Sequence, residues 1–304
     1  MVTTPLVVAI TGANSGIGLR AAERLAVDGH RVYAICRTPE RGQAALARIN
    51  SRARTPARLV LADLAEPASI DSAVNHLQGE VDHLDVLINN AAVFDQTIRT
   101  PQVTAAGHEL FWSTNHLGPF RLTAGLSHLL VNAPRPRLIS VASKGLLTMP
   151  RIKIRFDELD DLSWYSPTRA YYHAKLAQIM VSHQLALRTV GELDVACVRV
   201  PAVRLDADRI AALPPLLRLM YVPKNRMAAP PERLADTYRS LATRQTTWTA
   251  HATSTGGARG ELRGIYLDEH ERPVTAPAFA YDAQARQRLW DLSQHATGSP
   301  TWAW

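Results

Sequence analysis

The 304-residue sequence predicts one doubly wound α/β domain on a parallel sheet, and three observations carry that reading. Short, continuous, β-branched apolar runs alternate with longer helical patterns along the whole chain. The first of these runs opens straight into a glycine-rich turn. No linker, repeat or shift in composition interrupts the alternation, so residues 1–304 read as a single domain.

Strand one is LVVAIT at 6–11, the pattern of a strand buried on both faces. It feeds GANSGIG at 12–18, and a helical pattern follows through Val27. Glycines at such a turn let the backbone bend tightly and approach a ligand, while the helix start beyond offers N–H groups to a pyrophosphate. The spacing is GxxxGxG rather than the commoner GxGxxG of dinucleotide turns. Strand two, 31–36, ends at Cys36 and is followed by Arg37. An acidic residue at that edge suits a ribose 2′-hydroxyl and an arginine suits a 2′-phosphate, so Arg37 points to NADP.

A helix at 40–53 leads to strand three, 58–62, which ends at Asp63-Leu64. Strand four, 85–88, runs into Asn89-Asn90-Ala91-Ala92. Ligands of open parallel sheets lie beyond the carboxyl ends of strands, where Asp63 and Asn90 sit, although either residue also suits a helix cap or a turn. A long helical region spans 104–131 and contains Asn115. Strand five, 137–141, ends at Ala142-Ser143-Lys144, and a polar and aromatic excursion fills 146–167.

The next helix carries AYYHAKLAQI at 170–179, with Tyr171 and Lys175 four apart on one helical face. A cation at that distance favours the phenolate and moves a tyrosine toward proton exchange with an alcohol or ketone. Tyr172 lacks this spacing. Strand six, 194–200, ends at Pro201-Ala202-Val203. The segment 204–227, with LPPLLRLMYVP, reads as a lid over an apolar substrate or as a helix packed on the core. A helix at 231–243, a strand at 264–267 and a last helix at 282–294 complete the pattern, within a C-terminal extension at about 268–304.

The formal charge of +7 comes almost wholly from scattered arginines; Lys144, Lys153, Lys175 and Lys224 are the only lysines. With no basic stripe interleaved with aromatics, nucleic acid is not an expected partner. Cys36 and Cys197 lie in apolar runs without metal-ligand spacing, so no metal is expected and a reducing compartment is. No run of about 18 apolar residues is present, and strand-like sequence begins by Leu6. A cytoplasmic protein without a membrane anchor is expected.

TGANSGIG at 11–18, Asp63-Leu64, NNAA at 89–92, NHLG at 115–118, Ser143, and Tyr171 with Lys175 together resemble the short-chain dehydrogenase/reductase family, whose fold is Rossmann-like. GHELFWSTNHLGPFRLT at 107–123, AYYHAKLA at 170–177 and RLWDLS at 288–293 are similar to its retinol-dehydrogenase-like branch. The resemblance implies NADP(H) held by Gly12, Asn14, Ser15, Gly16, Ile17, Gly18, Arg37, Asp63, Leu64, Asn90, Ala91, Pro201 and Val203, together with Tyr171 and Lys175. It implies that Tyr171 exchanges the hydroxyl proton and that Lys175 binds the nicotinamide ribose and lowers the tyrosine pKa. Ser143 would bond the substrate oxygen, and Asn115 would hold a water linking Lys175 to solvent.

The family's NNAG is NNAA here, and its Pro-Gly after strand six is Pro201-Ala202. Where it tends to place a threonine, this chain has Arg204, Leu205 and Asp206. Carbonyl–alcohol redox chemistry on an apolar small molecule is the leading expectation. Non-redox chemistry on the same scaffold, motivated by the altered turns, and a cofactor-sensing binding protein are the alternatives. A homodimer through the helices that hold Asn115 and Tyr171 is also expected from the resemblance.

Overall fold

Apolar side chains on both faces keep water from a parallel ladder, and the runs that have them form strands. In the computed structural model these are β1 (Val7–Thr11), β2 (Arg31–Cys36), β3 (Arg58–Leu61), β4 (Val86–Asn89), β5 (Arg137–Ser143), β6 (Asp194–Val200) and β7 (Tyr266–Leu267). The structure describes residues 4–206, 210–211, 218, 225, 228–245, 265–298 and 301–304. All seven strands pair in parallel within one sheet, in the order β3-β2-β1-β4-β5-β6-β7. The chain runs outward from β1 to β3 and then returns to place β4 on the other side of β1. Ligand crevices of such sheets lie at that reversal, beyond the carboxyl ends of β1 and β4.

Helices α1 (Gly16–Val27), α2 (Pro39–Asn50) and α3 (Pro67–Glu80) follow the first three strands. The region expected to be one helix at 104–131 is broken. Val103 and Glu109 pair across a turn instead, and the Glu109 carboxylate accepts from the N–H groups of Phe111 and Trp112 (2.9 and 2.8 Å), so it starts the helix there. From that cap α4 (Leu110–Trp112) passes through a π-helical stretch (Ser113–Leu117) into α5 (Gly118–Gly125), and α6 (Ser127–Val131) follows. Then come α7 (Pro167–Arg188), α8 (Pro231–Thr243) and α9 (Ala283–Thr297). Pro167 starts α7, with the Ser166 hydroxyl accepting from Arg169 N at 3.3 Å.

One face of the sheet packs against α1, α2 and α8, through residues such as Leu25, Ile49 and Tyr238. The other packs against α3, α5 and α7, with Leu77, Leu122 and Leu185. The last helix lies on this second layer, where Trp290 meets Phe120 edge-on (ring centroids 5.1 Å) and Trp302 of the tail does the same. That face, expected to receive a second copy, is therefore covered by the chain's own α9 and tail. The lid expected at 204–227 and the strand start expected at Gly264 lie mostly outside the described residues. Among the described residues no helix is long and apolar enough to cross a membrane.

Candidate active site

The glycine turn and the turn after β4 are knit together at the sheet's reversal point. Gly12 and Gly16 have left-handed backbones (φ +68° and +58°) that side chains with a Cβ rarely adopt. Gly18 is required by proximity, since a Cβ there would lie 2.5 Å from both Asn90 Nδ2 and Gly12 O. The Asn90 amide donates to Thr11 O (2.9 Å), while the N–H groups of Asn90 and Ala91 both donate to Thr11 Oγ1 (3.0 Å each). Tyr238 from α8 donates its hydroxyl to Asn90 Oδ1 at 3.3 Å. Sequence reasoning missed Thr11 and Tyr238. A hydroxyl residue ending an apolar strand was a readable sign for Thr11; nothing local marks Tyr238.

Asn14, Ser15 and Gly16 sit half-buried at the start of α1, and Ser15 does not spend its hydroxyl on capping that helix. Ile17 turns its side chain into the core, so only its backbone faces the crevice. Arg37 is exposed just past β2. Asp63 serves as a turn residue: its Oδ1 accepts from Ala65 N at 2.9 Å. Leu64 is buried, and its carbonyl lies so near Gly118 that a Cβ there would come within 2.1 Å of it.

Past β6, Pro201 and Val203 lie on a segment that pairs with Ala229. The Asp206 carboxylate beyond them accepts from Gly16 N (3.3 Å) and pairs with Arg20 (2.7 Å), so an acidic group already meets the start of α1. Neither Ala92 nor Ala202 has a positive φ, and both are exposed. Alanine is therefore accommodated at both altered turns without backbone strain.

Ser143 ends β5, and Tyr171, near the start of α7, lies close enough for the two side chains to interact. The Tyr172 ring turns elsewhere, its hydroxyl packed on the turn at Gly145, where a Cβ would clash with it. Lys175 is buried, and its Nζ lies 5.8 Å from the centroid of the Tyr171 ring. The ammonium donates to Val141 O (2.7 Å) and to Gln178 Oε1 (2.8 Å). Burial pulls Lys175 down to about 8.

The expected lowering of the Tyr171 pKa is not what this arrangement produces. Burial, with a contribution from Tyr172, raises it well above the ordinary value, and only the Ser143 hydrogen bond opposes. The physical reason is desolvation of the phenolate, and the Lys175 ammonium, bonded to Val141 and Gln178, does not offset it.

Asn115 lies in the π-helical stretch and is fully buried. Its carboxamide is occupied on both sides, accepting from Val93 N (2.7 Å) and donating to Val93 O (2.9 Å). The next residue, Phe94, lies on the Tyr171 ring with centroids 4.4 Å apart. Asn115 thus fixes the loop that sets Phe94 over the tyrosine, a contact not readable from the sequence. Tyr165 of the 146–167 excursion donates to Ile98 O (2.9 Å) and ties that excursion to the same loop.

A family model described as short chain dehydrogenase matches residues 6–152. Human retinol dehydrogenase 11 is 31% identical over 296 residues, covering 97% of this chain and 86% of its own. The chain belongs to the short-chain dehydrogenase/reductase family, in its retinol-dehydrogenase-like branch. Among solved structures, a protein from Mycobacterium paratuberculosis superposes with a TM-score of 0.68 at 24% identity, over 99% of this chain and 97% of that one. A short-chain dehydrogenase of Shigella flexneri, complexed with NADP, gives 0.62 at 18% identity, over 88% and 98%. Both share the fold.

As a short-chain dehydrogenase this protein is an oxidoreductase of the alcohol–carbonyl class, and its family uses a nicotinamide cofactor. Apart from the Gly16 N–H, which Asp206 takes, the residues present fit such a group. The left-handed turn at Gly12 and Gly16, the close approach at Gly18 and the uncommitted Ser15 hydroxyl form a cradle at the start of α1, which a Cβ at Gly18 would distort.

Proposed function

We propose that this protein is an NADP(H)-dependent oxidoreductase that interconverts an aldehyde or ketone with an alcohol on an apolar small molecule. The observation that carries the reading is Tyr171 with buried Lys175 at its ring, Nζ 5.8 Å from the centroid, near Ser143 at the end of β5. Bound in that cradle, the cofactor supplies a hydride at the nicotinamide ring. Ser143 orients the substrate oxygen, and Tyr171 gives it a proton in reduction or takes one in oxidation, help worth about 10² to 10⁴ in rate.

Lys175 has one N–H beyond its two acceptors, which would hold a ribose hydroxyl of the cofactor. Asn115 acts through Val93 and Phe94. The ring of Phe94 gives the tyrosine an apolar neighbour, which supports a greasy substrate, as does the retinol in the relatives' names. Arg37, exposed past β2 with no acidic residue at the strand end, supports a 2′-phosphate. Cys36 and Cys197, buried and free, suit the cytoplasm. No observation at Ala92 or Ala202 favours the non-redox alternative.

The test is calorimetric binding of NADPH, NADP⁺, NADH and NAD⁺ to the protein and to Arg37→Ala. The expected result is preference for the phosphorylated pair, reduced about ten- to a hundredfold in the variant, in line with a charge-assisted phosphate contact. Equal affinity for all four, unchanged in the variant, would remove NADP from the reading.

A further inference from the structure

A buried ammonium needs an acceptor for each N–H that no water reaches. One acceptor of Lys175, Val141 O, is backbone; the other, Gln178 Oε1, belongs to a side chain three residues along α7. Gln178 is itself only 5% exposed, and its Nε2 has no hydrogen-bond partner. Neither has Oδ1 of Asn89, which is 3% exposed at the end of β4. Both residues line one small cavity of about 20 Å³, walled by His116, Phe120, Thr123 and Ser140. That volume holds a single water.

The donor directions around the cavity agree with one another. Lysine can only donate, so the Gln178 oxygen faces Lys175 and its NH₂ faces the cavity. Thr123 Oγ1 donates to Pro119 O (2.7 Å) and accepts from Asn89 Nδ2 (2.9 Å), which leaves the Asn89 oxygen toward the cavity. A water there would accept from Gln178 and donate to Asn89, completing a donor-to-acceptor line from Lys175 to Pro119.

We propose that Gln178 is a positioning residue for Lys175: its amide oxygen, locked by one buried water shared with Asn89, keeps the ammonium charged and in place beside Tyr171. This deepens the oxidoreductase reading and rests on it for the part Lys175 plays.

The groups that face Lys175 give it no negative partner. Tyr171 is on its own helix and Cys197 faces it from β6, with Tyr238 on α8 and Tyr266 on β7 around them; burial raises the pKa of all four, so they stay neutral near pH 7. His116, from the π-helical stretch, is neutral as well, and Lys144 after β5 is paired with Glu269 at 2.8 Å. Neutral acceptors therefore carry the charge.

The test is the titration of Lys175 in the full chain, read by NMR on lysine labelled with ¹³C at Cε. With four lysines in the sequence, Lys175→Arg assigns the resonance. In Gln178→Leu the midpoint falls by about one pH unit, as expected for losing a hydrogen bond to a charged group, while in Gln178→Glu it rises above wild type. An unchanged midpoint in folded Gln178→Leu overturns the proposal. If that variant does not fold, Gln178→Glu decides, and a midpoint equal to wild type overturns it. The titration needs neither cofactor nor turnover. A moved midpoint in a protein that binds no dinucleotide would keep the positioning role and sink the cofactor reading, and an unmoved midpoint in one that binds NADPH would do the opposite.

Discussion

His116, His173 and His183 are buried at 3% exposure or less, and burial pulls their pKa values down to about 3, 3 and 4. Burial is the main cause in each case; Arg155 N also donates to His173 Nε2 (2.9 Å), which needs an unprotonated nitrogen, while His116 lies against the Ser293 hydroxyl (2.8 Å) and His183 against Ala280 O (3.2 Å), the last contact opposing the shift. In the unfolded chain they titrate near 6.5. Between that value and their folded values the unfolded chain binds more protons, so stability is fully present above about pH 6.5 and falls as pH drops toward 4 and 3. The slope is about 1.4 kcal/mol per pH unit for each histidine. Urea unfolding at pH 7 and pH 5 checks this: the midpoint at pH 5 is expected to be clearly lower, and equal midpoints would show that the three are not buried neutral.

At the scale of elements, the first turn and the turn after β4 behave as one unit, because Asn90 and Thr11 bind each other's backbone across the reversal point. Gly18→Ala tests that unit. Its new methyl meets a backbone carbonyl that cannot move without disturbing Gly12, so a loss of about 1–3 kcal/mol is expected in chemical denaturation, with weaker dinucleotide binding. Unchanged stability and binding would mean the turn has slack.

These turns were legible in the sequence because their constraints are local: a left-handed backbone, a close approach, a strand end. The pairing of Tyr171 with Lys175 was legible for the same reason, as four residues on one helix. What was not legible depends on distant chain segments. Phe94 reaches Tyr171 across 77 positions, Tyr238 reaches Asn90 across 148, and the orientation of the lysine depends on Val141. The helix at 104–131 was misjudged because Glu109 caps its start late, and periodicity does not reveal a cap contributed by a buried carboxylate.

On the scale of the whole molecule, the sheet brings chemistry from widely separated segments to the carboxyl ends of its strands, and the C-terminal segment covers the helix layer that contains α7. The Trp302 tail, which had no evident role in the sequence, packs on Phe120 and Trp290 and donates to Gln294 Oε1 (2.9 Å). The site is thus backed by helices that are themselves covered, which keeps Lys175 and Gln178 away from water. The most direct measurement of the central claim is NADPH consumption against a panel of apolar aldehydes and ketones, comparing wild type with Tyr171→Phe. The expected result is turnover by wild type and a loss of about 10² to 10⁴ in kcat for the variant, with NADPH still bound. A Tyr171→Phe protein that turns over as fast as wild type would contradict the assignment of the proton to Tyr171.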